Sequence, residues 1–295
     1  MRDYEETFSP VTRFETICLF LALVALEDWE LHTLDIKTAF LFGNLDKEIY
    51  IVQPESFIKK GLEKKVCHLR GAIYNLKQAV LQQNKQLHKS LLELSFQHCL
   101  SDPGVYIKFI SNHLIILVFY VDNALFMSSD KILVLKHKKQ FMDQWESRYL
   151  GNVTEYLGMR ITRHHSKRTL RLEQCSYATK VVEHFGQTNY KPVSTPLPSG
   201  YAPQPNEGES NQNLQSHYQS VIGSLLYIML GTRPDLAYSV IKMSQYSTNP
   251  TEEHLQKVLY IVCYLSHTTS LGLTYAANGP NSGFVAYSDT DWARD

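Results

Sequence analysis

The spacing of apolar residues along the chain changes between a period of two and a period near 3.6, and these changes mark out the elements. The stretch around which the rest is arranged is Leu114–Met127, LIILVFYVDNALFM, where the runs Leu114–Phe119 and Ala124–Met127 flank a polar tip at Asp122-Asn123. Apolar β-formers on both sides of a short Asp/Asn turn predict a hairpin. A second strand-like run, Trp29–Ile36, carries Asp35 near its end. After Ser9-Pro10, the positions Val11, Phe14, Cys18, Leu21 and Ala25 share one helical face. Another helix bears Leu81, Leu87, Leu91, Leu92 and Leu94. Short strands are expected at Glu48–Val52, Val66–Leu69, Thr154–Ile161 and Thr169–Glu173. Helices are expected at Lys131–Trp145, Ser176–Phe185 (closed by Gly186), His217–Leu230, Leu236–Gln245 and Glu252–His267. The last starts from Asn249-Pro250, with Glu252 in its first turn. Leu271–Ala276 and Gly283–Asp289 read as a closing hairpin through Asn278-Gly279-Pro280. Helical and strand periods interleaved in this way predict an α+β fold around an antiparallel sheet.

Composition adds a boundary and removes several function classes. Residues 187–216 hold Pro192, Pro196, Pro198, Pro203 and Pro205 among Ser, Asn and Gly, the composition of a linker or long surface loop. Charge is balanced, 29 Lys+Arg against 29 Asp+Glu, so any nucleic-acid affinity must come from local basic surface. Lys131, Lys136, Lys138 and Lys139 lie on one helix as such a surface, or as an ordinary solvated face. Lys59, Lys60, Lys64 and Lys65 read as a solvated loop. Cys18, Cys67, Cys99, Cys175 and Cys263 are scattered without a Cys-x-x-Cys pair, as expected of reduced thiols in an intracellular protein. Whether that means a cytoplasmic particle or the nucleus is left open. Ile17–Leu26 is too short to span a bilayer, so no membrane association is expected. There is no internal repeat, zinc spacing or P-loop, and His164-His165 read as loop residues.

The candidate chemistry is acidic. Asp35 and Asp122 each stand at a strand end, and a fold that joins those ends makes a site for hard divalent cations. Two such carboxylates repel, so without metal one of them should have a raised pKa. Metal-assisted phosphoryl transfer suits this arrangement.

Motifs spread along the chain carry a family resemblance. Asp35 in LDIKTAF, the YNLKQA of Tyr74–Ala79 and the Tyr120-Val121-Asp122-Asn123 turn resemble the reverse transcriptase of copia-type LTR retrotransposon polyproteins. Tyr156–Met159 (YLGM), Lys191–Pro196 (KPVSTP), Thr232–Tyr238 (TRPDLAY) and Tyr287–Asp295 (YSDTDWARD) follow in the family's order. The resemblance implies a palm with partial fingers and a primer-grip region over 1–186 and a linker over 187–216. It further implies a helical thumb or connection region over 217–270 and the start of a ribonuclease H-like domain over 271–295. Asp35 and Asp122 would ligate Mg²⁺ (or Mn²⁺), and Ile36, Lys37, Thr38, Phe40, Lys77 and Gln78 would meet the incoming nucleotide. The backbone N–H groups of the Lys37–Phe40 turn would face its triphosphate, and the Phe40 ring would gate against the ribose 2′-hydroxyl. Tyr156, Leu157, Gly158 and Met159 would steady the primer end, and Asp289 would be a vestigial ribonuclease H aspartate. The implied partners are an RNA or DNA template with its primer, deoxynucleoside triphosphates and the rest of a polyprotein, and the resemblance implies a truncated N-terminus, with a fingers segment expected further upstream.

The chain departs from the family at telling positions. The turn's last residue, an aspartate in the family, is Asn123. Gly is usual at Asn75, Ser56 and Ser95, an aromatic near Gln83, Arg at Cys263 and Asp at Tyr149. The expectation is therefore an RNA-directed DNA polymerase using two metal ions and weakened by Asn123. The alternative is an inactive retroelement remnant that keeps the fold and at most nucleic-acid binding.

Overall fold

A computed structural model describes residues 7–45, 47–187 and 191–277, excluding the side chains of Phe40, Phe42 and Leu150. The chain forms two compact units, Met1–Ile17 with Trp29–Val153 and Cys18–Asp28 with Thr154–Asp295. The first helix, α1 (Phe14–Leu26), contributes to both. It starts three residues later than Val11, and Ile17, Leu21 and Val24 form its buried stripe.

The first unit is built on a six-stranded sheet. Its elements are β1 (Glu30–Ile36), β2 (Tyr50–Val52), β3 (Val66–His68), α2 (Ala79–Glu93), β4 (Gln97–His98), β5 (Val105–Ile110), β6 (His113–Tyr120), β7 (Asn123–Ser128), α3 (Lys131–Gln144) and β8 (Ser147–Asn152). The sheet runs β4-β5-β6-β7-β1-β8, antiparallel at every pairing, while β2 and β3 form a separate ribbon. β6 and β7 are the centre, and Ile115–Phe119 and Ala124–Ser128 are buried at every position. A continuous apolar run is what a strand covered on both faces requires. Leu87 and Leu91 of α2 and Val134 and Phe141 of α3 join Leu34, Leu117, Phe119 and Phe126 in one core. Burying a side chain of this size contributes about 1.5–3 kcal/mol. β5 and β8 have no counterpart among the elements expected from sequence. β5 interrupts its apolar pattern with Lys108, and β8, SRYLGN, has no regular alternation and pairs with β1 across a register shift.

The second unit holds β9 (Glu155–Tyr156), β10 (Met159–His164), β11 (Thr169–Glu173), α4 (Cys175–His184), α5 (Gln212–Gly231), α6 (Ala237–Ser244), α7 (Glu252–Ser266) and β12 (Gly272–Ala276). The strands form a second sheet, β12-β11-β10-β9. Val181, Tyr218, Leu225, Val240 and Ile261 tie the four helices into a common core. The compact units divide between Val153 and Thr154, where the chain passes to the second sheet, in which β9 pairs with β10, β10 with β11 and β11 with β12. The proline-rich stretch ends sooner, since Asn211 caps α5 by accepting from Asn213 and Leu214 N–H groups. Gly272–Ala276 pairs with β11 and is, among the described residues, the last strand of this sheet. Its expected partner, Gly283–Asp289, lies outside the described residues. No helix among the described residues is long and apolar enough to cross a membrane.

Candidate active site

The site begins with a two-residue turn. β6 and β7 are joined through Val121 and Asp122, with Tyr120 paired to Asn123 across the turn. Val121 has φ +58°, a left-handed conformation that a β-branched residue rarely adopts. On its other edge β7 pairs with β1, so that Asn123 is the register partner of Asp35. The Ile36 N–H donates to the Asp122 carbonyl at 2.9 Å. Asp35, Asp122 and Asn123 thus meet at one end of the sheet's two central strands.

The electrostatics of the site are those of two neighbouring carboxylates. Burial raises the Asp122 pKa above its usual range; a backbone hydrogen bond opposes this, and the charge of Asp35 adds to it. Asn123 Nδ2 donates to Asp122 Oδ1 at 3.1 Å, so the amide partly offsets the charge that a third carboxylate would have increased. Among the described residues no three or more His, Cys, Asp and Glu side chains gather as a metal site. The donors present are two carboxylates and one amide oxygen, all hard ligands of the kind Mg²⁺ and Mn²⁺ accept. The residues therefore fit a divalent cation, though with less charge than two such ions call for.

The turn after β1 is only partly available to a ligand. The Lys37 N–H donates to the Glu146 carbonyl at 2.9 Å, and the Lys37 ammonium pairs with the Glu146 carboxylate at 3.2 Å. That backbone donor is therefore spent, contrary to the expectation that it faces a triphosphate. Thr38 is exposed with φ +48°. The Phe40 ring lies outside the described side chains, and Asp289 lies outside the described residues.

A family model for reverse transcriptase (RNA-dependent DNA polymerase) matches residues 1–199. The chain belongs to the reverse transcriptase family. It is 39% identical, over 99% of its length, to the retrovirus-related Pol polyprotein from transposon TNT 1-94 of Nicotiana tabacum. It is 33% identical, again over 99%, to the polyprotein from transposon RE2 of Arabidopsis thaliana. The chain spans 22% and 20% of those polyproteins. A putative transposon Ty5-1 protein of Saccharomyces cerevisiae is 28% identical over 87% of the chain and 82% of its own length.

At two of the positions where this chain departs from the family pattern, the backbone shows why glycine is usual. Asn75 has φ +70° and Ser95 φ +63°, conformations in which glycine carries no Cβ penalty. Ser56 lies in a short 3₁₀ turn without positive φ, so nothing in the backbone there requires glycine. Tyr149 donates to or accepts from His32 Nδ1 through its hydroxyl at 3.1 Å, and the Lys138 ammonium sits 3.3 Å from its ring centroid. Lys138 and His137 are buried while Lys131, Lys136 and Lys139 are exposed, so α3 does not present four lysines on one surface.

The nucleotide- and primer-contact candidates separate likewise. Lys77 is exposed, but Gln78 is buried at the start of α2. In the second unit, Leu157 (φ +46°) and Gly158 (φ +68°) form the turn between β9 and β10, flanked by buried Tyr156 and Met159. Tyr227 of α5 donates its hydroxyl to the Leu157 carbonyl at 2.5 Å. A Cβ on Gly158 would stand 2.6 Å from that same oxygen. Sequence reasoning missed Tyr227 and Gln83, whose Nε2 donates to the Val121 carbonyl at 2.9 Å. Neither lies in a motif, and both reach their turns from distant helices.

Proposed function

We propose that this chain is the RNA-directed DNA polymerase segment of a copia-type retrotransposon polyprotein, with its catalytic centre at Asp35 and Asp122 and its turnover reduced by Asn123. The observation that carries this reading is the pairing of Asp35 with Asn123 beside the Asp122 turn. Asp35 and Asp122 would hold two Mg²⁺ ions, or Mn²⁺, which when bound supply activation of the primer 3′-hydroxyl and neutralisation of the triphosphate. Asp35 and Asp122 orient the reacting groups through fixed strand ends, and most of the rate comes from that positioning. Asn123 presents an uncharged oxygen in place of an anion, which removes one negative charge, and its amide hydrogen occupies a lone pair of Asp122 that a cation would use. Lys77 supplies a cation toward the nucleotide, and the Tyr156–Met159 turn steadies the primer end. The partners are a template strand with its primer and deoxynucleoside triphosphates.

The test is extension of a DNA primer on an RNA template by the Asn123→Asp chain. It is expected to incorporate nucleotides and to lose that activity on Asp122→Ala. Absence of incorporation by Asn123→Asp with either metal favours the inactive-remnant reading, and activity that survives Asp122→Ala overturns the assignment of the centre.

A further inference from the structure

The turn that carries Asp122 has an internal freedom that the strand ladders do not remove. In a two-residue turn the central peptide, here Val121–Asp122, can rotate as a unit while both flanking strands stay paired; the two orientations correspond to different turn types. Such a rotation turns over the Val121 carbonyl and the Asp122 N–H together, and that N–H is the backbone hydrogen-bond partner of the Asp122 carboxylate, so it changes the direction in which the carboxylate is held. Val121, β-branched at φ +58°, keeps this conformation only if its surroundings over-determine it. The Val121 carbonyl, part of the peptide that would rotate, accepts a hydrogen bond from Gln83 Nε2 at 2.9 Å.

Gln83 is almost wholly buried, 1% exposed, and its Oε1 has no hydrogen-bond partner. A buried amide oxygen left without a donor costs stability. A side chain kept only for packing would do better as Leu or Met, which carry no such atom. Gln83 lies on α2 and shares a small cleft with Val80, Leu87, Phe119, Ser9 and Asn84, and among the described residues none donates to its amide oxygen.

We infer that Gln83 is a positioning residue for the catalytic turn: its carboxamide locks the Val121–Asp122 peptide in the orientation that presents the Asp122 carboxylate beside Asp35. This rests on the polymerase reading for its consequence but not for its geometry. Packing and positioning then respond oppositely to Gln83→Leu. Stability holds or rises because the orphan oxygen is gone, while the turn loses the contact that selects one peptide orientation.

The test uses the full chain, labelled with ¹³C-carbonyl valine and ¹⁵N aspartate. Val121-Asp122 is the sole Val-Asp step in the sequence, so a carbonyl-filtered amide spectrum contains one resonance from this peptide. The unmodified chain is expected to give a single sharp peak. Gln83→Leu is expected to give a broadened or doubled one at an unchanged or higher melting temperature. In the Asn123→Asp background, Gln83→Leu should also lower the primer-extension rate by about 10–10²-fold, the scale on which small misplacements act. One sharp resonance in a folded Gln83→Leu chain overturns the inference. A broadened or doubled resonance without polymerisation by any variant keeps the peptide lock and removes the polymerase reading instead. Gln83→Met, closer in volume, replaces Gln83→Leu if the latter fails to fold.

Discussion

Asn123 exchanges charge for apo-state comfort. Its amide donates to Asp122, and Asp122 is already pushed toward its neutral form by burial and by Asp35. Asn123→Asp therefore adds a third anion and removes a donor. It should lower the melting temperature of the metal-free chain and increase the stabilisation seen on adding Mg²⁺ or Mn²⁺, because ligand binding to the folded state raises stability with affinity. Thermal melts with and without metal check both signs. Ser95 offers a separate prediction. It follows α2 with φ +63°, the Ser95 N–H bonding to Leu92 and the Phe96 N–H to Leu91, the glycine position of a helix C-terminal motif. Ser95→Gly should stabilise by about 1 kcal/mol in a denaturant titration, since the left-handed penalty of a Cβ is removed. The acidic pair was legible at this scale because strand-end aspartates stand out against apolar runs. The hydrogen bond from Gln83 and the burial of Gln78 were not, because burial of a polar side chain leaves no periodic mark in sequence.

The two candidate turns are held by a helix donor in the same manner. Gln83 reaches the β6–β7 turn and Tyr227 the β9–β10 turn, each donating to a carbonyl beside a left-handed residue. Gly158 is squeezed twice, by its φ of +68° and by Tyr227 Oη where a Cβ would go. Gly158→Ala should therefore destabilise by about 1–3 kcal/mol, measured by chemical unfolding, and Tyr227→Phe should recover part of that loss by removing the clashing hydroxyl. The major helices and the central hairpin were legible as elements, since long apolar periodicity survives context. β8 was not: it gains its structure from pairing with β1 rather than from its own composition.

Over the whole molecule the class of fold follows from the alternation of periods, but the division into units depends on strand pairings that sequence does not encode locally. Gly272–Ala276 joins β11 across a long separation, which composition alone cannot indicate. A global pH response follows from the buried imidazoles. His32, His88, His137 and His254 have lowered pKa values, chiefly because burial disfavours their cations. As pH falls below about 6.5 the unfolded chain takes up protons that the folded chain does not, so stability declines. The melting temperature should be lower at pH 5.5 than at pH 7.5, and equal values would remove the buried-histidine contribution.

The polymerase centre itself is tested most directly by the single-turnover rate of nucleotide addition to a DNA primer on an RNA template, measured for the unmodified chain and for Asn123→Asp with Mg²⁺ and with Mn²⁺. Loss of one electrostatic contribution of this kind costs about 10²–10³-fold. The unmodified chain should fall below Asn123→Asp by that order in Mg²⁺, with the gap narrowing in Mn²⁺, which binds most ligands more tightly. Equal and robust rates for the two chains would contradict the role assigned to Asn123 and to the carboxylates beside it.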